Sequence, residues 1–219
     1  MRRLLFNQLT RDDLTSLVAL DDQAMDVEPW NGLAQGELTD AEQQRIGYVV
    51  EGFKLAPLLR VNEATVWSRA IFPLLAIVET RDAVAMADVP LTARFGDVEL
   101  AGNADGAVGA REGGGLRAPF FIVVETKRGI EGGDPVNQLY GELLAAAALN
   151  AKDNGRSTQR VYGCFTVAAV WTFVQADVAG LDTERPSLTV TTSLEFTESH
   201  EAAAIVKILK SIIALHGRA

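Results

Sequence analysis

In the stretch FFIVVETKRG, residues 120–129, an apolar run passes straight into Glu125 and Lys127. Side chains two apart on a strand share a face, so these two point the same way while Thr126 points the other. Ionised groups at the end of a buried strand are costly unless a partner or a metal holds them. The neighbouring stretches 98–110 and 118–128 read as a hairpin, and centring it on Gly115, within the glycine run, sets Asp105 opposite Glu125. Two facing carboxylates repel, and a divalent cation between them turns repulsion into coordination. With a backbone carbonyl such as that of Thr126 they offer the hard oxygen ligands that suit magnesium or manganese. Lys127, on the same face, is placed to orient or deprotonate a water on that ion and to answer charge growing on a phosphate. The bland alternative is a surface Glu–Lys pair, worth under about 1 kcal/mol. The apolar strand, the opposed acid in GNADG and a capped helix soon afterwards together favour a site.

Several elements must position these residues. Segments 9–20 and 38–54 read as helices, the second opened by a Thr39–Glu42 capping box. A third spans 61–79, capped by Asn62 and bent or divided by Pro73. Strands are expected at 91–95, 98–110 and 118–128, an antiparallel meander broken by turn residues. Asp134 and Pro135 then start a helix running to Asn150, followed by strands at 160–167, 170–178 and 187–196 and an amphipathic helix at 200–217. The expectation is one α/β domain over 1–219: a helical extension to residue 60, a core over 61–167, and a C-terminal strand pair plus helix over 168–219.

Asp105, Glu125-Thr126-Lys127 and a helix opening near Gln138 together resemble the restriction-endonuclease-like superfamily, named for its PD-(D/E)xK motif. The resemblance runs from about Asn62 to Val167 and includes the order helix, three strands, helix, strand. It implies a nuclease, a metal-dependent phosphodiester hydrolase of endonuclease type, acting on DNA rather than RNA, with Asp105 and Glu125 binding magnesium or manganese and Lys127 assisting the attacking water. Gln138 matches the glutamine that often joins such sites, and Glu63 the acid many members present from the first core helix. Ala104 stands where the name-giving motif has proline, and Glu142 where some branches have tyrosine. A homodimer would serve cleavage of two strands. The alternative left open is a noncatalytic subunit of this fold, or an interaction module, docking a protein partner.

Charge and composition bound these readings. A net charge of −9 opposes nonspecific attraction to nucleic acid, which draws on lysine and arginine. A local basic rim of Arg128, Lys152, Arg156 and Arg160 is therefore expected around the cleft. One cysteine, Cys164, excludes an internal disulfide, and two histidines offer no soft cluster for zinc. No apolar run approaches the roughly 20 residues of a bilayer span, so a cytoplasmic protein without membrane contact is expected. The glycine-rich GAVGAREGGG lacks the lysine and helix of a phosphate loop and reads as a flexible hairpin.

Overall fold

The computed structural model describes residues 2–26, 28–55, 61–127 and 135–216. One mixed sheet of eight strands organises them: β1 (Arg2–Leu5), β2 (Ala19–Met25), β3 (Ala83–Phe95), β4 (Val98–Glu112), β5 (Gly115–Lys127), β6 (Gln159–Val167), β7 (Val170–Ala179) and β8 (Ser187–Thr197). The helices are α1 (Arg11–Leu17), α2 (Glu28–Leu33), α3 (Asp40–Leu55), α4 (Glu63–Val66), α5 (Phe72–Ile77), α6 (Pro135–Asn154) and α7 (Glu198–His216). Among the described residues no helix is long and apolar enough to cross a membrane.

β3 lies antiparallel along one side of β4. On the other side β1 pairs in parallel with residues 98–101 and β5 pairs antiparallel with residues 106–112. β6 follows β5 in parallel, which demands a crossover, and α6 supplies it. β7, β8 and β2 complete the sheet, the last pair parallel.

Apolar layers cover both faces. Leu139, Leu143 and Leu144 of α6 meet Val123, Val161 and Val174 on one face, together with Phe6 and Leu9. Leu74 and Leu75 of α5 and Ile205 and Leu209 of α7 meet Ile122, Val124, Cys164 and Phe173 on the other. Strand alternation then sends Glu125 and Lys127 after Val123 toward α6, and Thr126 after Val124 toward the opposite layer. Cys164 is a buried core residue, as its apolar strand setting suggests.

Several local expectations hold. Thr39 and Glu42 form the expected reciprocal cap, and the Asn62 side chain accepts from the amide of Thr65 at 2.9 Å. Pro73 divides its helix: without an N–H it interrupts the ladder, and a π-helical turn over Trp67–Ile71 precedes α5. The expected helical extension is corrected, because residues 2–5 and 19–25 are strands of the same sheet. The helix expected over 9–20 ends at Leu17. Val18 is already extended, and Arg185 donates to the free carbonyl of Thr15. The exposed edge of β8 then captures the following residues in parallel, a long-range pairing that local periodicity does not carry. The strand expected at 91–95 is 13 residues long, since Ala83–Ala87 and Val89–Phe95 find partners on β4, with Asp88 left out of the pairing.

The hairpin differs from expectation in a way that bears on the site. Its turn is Gly113–Gly114, both at positive φ, rather than Gly115. Irregularities between Val108 and Ala110 leave extra residues on β5 around Ala118–Pro119, where proline cannot donate to the ladder. Beyond them Gly106 pairs with Val124, the register that centring on Gly115 would give. Asn150 of α6 bonds both the N–H and the carbonyl of Phe120 across this break, at 2.6 and 2.8 Å. That clamp fixes how α6 lies along β5.

Candidate functional site

The β4–β5 pairing ends at Gly106–Val124, while β5 stays paired with β6 through Lys127–Val167. The site lies in the resulting fork. Its open side would leave the Thr126 amide without a strand partner, and Asp105 Oδ2 accepts that amide at 2.7 Å. Glu125 is fully buried. Its Oε1 lies 2.5 Å from Lys127 Nζ, and its Oε2 accepts from Gln138 Nε2 at 2.7 Å. The same amide nitrogen donates to Glu142 Oε1 at 3.0 Å, and Lys127 Nζ donates to Gln138 Oε1 at 3.4 Å. Gln138 and Glu142 are one turn apart on α6, so one helical face presents both to β5.

The electrostatics are those of acids crowded out of water. Burial, then the like charge of Asp105, pushes Glu125 up to about 7 against the opposing pull of Lys127. Burial also raises Asp105, and the Thr126 amide offsets it only in part. Glu142 is raised well above the usual range by burial and by the charge of Glu125, and its Oε2 has no hydrogen-bond partner among the described residues. Burial works against the Lys127 ammonium, but its contact with Glu125 and the charges of Glu63 and Asp105 hold it above its ordinary value.

Glu63 reaches the site from α4. It lines a cleft of about 270 Å³ with Trp67, Asp88, Asp105 and Thr126. Trp67 can approach because Gly106, beside Asp105, has no side chain: a Cβ there would overlap the indole. The structure thus brings Asp105, Glu125, Thr126, Lys127 and Gln138 together, with Glu63 at the edge. Among the described residues no three carboxylate, histidine or cysteine side chains converge into a ready-made metal cage. A smaller oxygen set, Asp105, Glu125 and the Thr126 carbonyl, could hold a cation with water completing the shell, as magnesium tolerates.

The expected basic rim is corrected. Lys152 and Arg156 line a cavity of about 710 Å³ at the other end of α6, mixed with Arg94, Glu99 and Asp182. About 20 Å of helix, at 1.5 Å per residue, separates them from Gln138. Arg160 is paired with Asp177 at 2.7 Å near the opposite end of β6. Arg128 and Asp134 lie outside the described residues.

Two residues join the site that the sequence reading did not place there. Glu142 stands four after Gln138, a spacing that marks a shared helix face. Asp88 carries a backbone φ of 53° unusual for a residue other than glycine, which local sequence does not announce. Comparison with known proteins found no sequence family and no curated protein that matches this chain.

Proposed function

We propose that the protein is a metal-dependent phosphodiester hydrolase of the restriction-endonuclease-like type, acting on DNA in the cytoplasm. The observation that carries this reading is buried Glu125, ion-paired with Lys127 and hydrogen-bonded by Gln138, beside Asp105 at the strand fork. The element order from α4 to β6 supports it, since a helix, three antiparallel strands, a crossover helix and a parallel strand match the core expected from the motif.

In this reading Asp105, Glu125 and the Thr126 carbonyl hold magnesium or manganese, which when bound supplies Lewis acidity toward the phosphate and a more acidic water. Gln138 fixes the Glu125 carboxylate, donating to one oxygen while Lys127 pairs with the other. Lys127 stays protonated beside these acids and offers a positive charge to the pentavalent phosphate. Its ammonium also donates to the attacking water and holds it in line. Glu142 keeps the Gln138 amide turned toward Glu125 from the apolar side.

The acidic rim of Glu63, Asp88 and Asp105 favours a second reading, a noncatalytic subunit that docks a basic protein surface. Hydrolysis of oligonucleotides and plasmid with magnesium and with manganese separates the two. Turnover supports the nuclease; cation binding without turnover on any nucleic acid supports the docking subunit.

A further inference from the structure

The cleft on the Thr126 side of β5 has chemistry that metal coordination does not use. Trp67, half-buried, forms one wall, held against Gly106 and tilted against Phe72 with ring centroids 5.9 Å apart. Asp88 and Glu63 supply carboxylate acceptors at the rim. Thr126 lines the cleft as well, is 1% exposed, and its buried Oγ1 meets no hydrogen-bond partner among the described residues. A buried hydroxyl without a partner calls for a ligand that hydrogen-bonds.

The character of that ligand follows from what surrounds it. Acidic residues repel a phosphate, so the backbone of a nucleic acid is a poor fit. A bare cation is also a poor fit, because these carboxylates do not converge. A flat heterocycle with a donor group satisfies both the indole wall and the acceptors, and about 270 Å³ accommodates one base. We propose that this cleft receives a single unstacked nucleobase bearing an exocyclic amino group, beside the phosphate to be cleaved. The position next to that phosphate rests on the nuclease reading; the base-binding chemistry does not. The base stacks on Trp67, its amino group donates to Asp88, and the Thr126 hydroxyl bonds a ring nitrogen or carbonyl.

Cytidine and uridine differ at that exocyclic group, and so do adenosine and inosine, which makes each pair a controlled comparison. Trp30 and Trp171 are buried at 1% and 0% exposure, so Trp67 is the indole a ligand in the cleft quenches. In metal-free protein, cytidine should quench with an affinity about tenfold above uridine, and adenosine above inosine, the difference set by one charge-assisted hydrogen bond. Asp88→Asn, a residue that tolerates positive φ, should erase the preference, and Trp67→Phe should weaken binding of all four in calorimetry. Equal binding within each pair, or no quenching by any of them, overturns the proposal. Plasmid cleavage without nucleoside discrimination removes the base cleft alone. Discrimination without cleavage retains the cleft and removes the nuclease reading.

Discussion

Under the proposed nuclease reading Glu125 and Lys127 have different tasks, and their variants should fail differently. Glu125→Gln removes a ligand charge, so cleavage falls and is partly restored by raising magnesium. Lys127→Ala leaves the donor set intact, so its loss, about 10²–10⁴-fold, should not respond to magnesium. A magnesium titration of the two variants against wild type checks this, and parallel curves would contradict it. The raised Glu125 has a further consequence. A cation needs the carboxylate, so each pH unit below about 7 should weaken magnesium binding about tenfold, with a plateau above. Binding measured calorimetrically from pH 5.5 to 8 reads this directly; a flat profile would mean that Glu125 is not a ligand.

At the scale of elements, the site depends on α6 lying in one register along β5, and Asn150 sets it by satisfying both backbone groups of Phe120. Asn150→Leu should cost about 3 kcal/mol, since two buried backbone groups lose their partners, and should lower cleavage further by shifting Gln138. Denaturant unfolding and a cleavage assay on the folded fraction test the two effects separately. The elements that hold this machinery were legible from sequence because each is locally declared: the Asn62 cap, the apolar run into Glu125, the Pro135 helix start. β1 and β2 were not, because their pairing with β4 and β8 is decided by edges far away in the chain. The register expected of the hairpin holds at Gly106–Val124 although the turn differs, and Asp105 lies one residue beyond that last pair. The extra β5 residues near Pro119 displaced the ladder by the amount that moving the turn had removed. Asp88 and Glu142 became visible only through the cleft and the helix packing that surround them.

Across the whole molecule, buried acids set the response to pH. Glu198, fully buried with its carboxyl bonded to Trp171 Nε1 at 3.0 Å, is pushed by burial up to about 8, and Glu125 and Asp105 are raised as well. A carboxyl raised on folding contributes stability that is complete below its unfolded value and is lost as pH climbs through the folded one. The surface acids Asp13 and Asp22, lowered by Thr10 and by Arg11 respectively, act the opposite way at lower pH. The melting temperature should therefore peak near pH 5 and decline toward pH 8, each raised acid contributing about 1.4 kcal/mol per pH unit across its interval. Glu198→Gln should flatten that decline; a curve that rises from pH 5 to 8 would contradict the assignment. Hydrolysis of phosphodiesters at the fork, as proposed, is tested most directly by nicking of supercoiled plasmid by wild type and Lys127→Ala, side by side, with magnesium and with manganese. Wild type should give nicked product that requires the ion, and the variant should give none. Equal product from both proteins, or none from wild type that binds the ion, would contradict it.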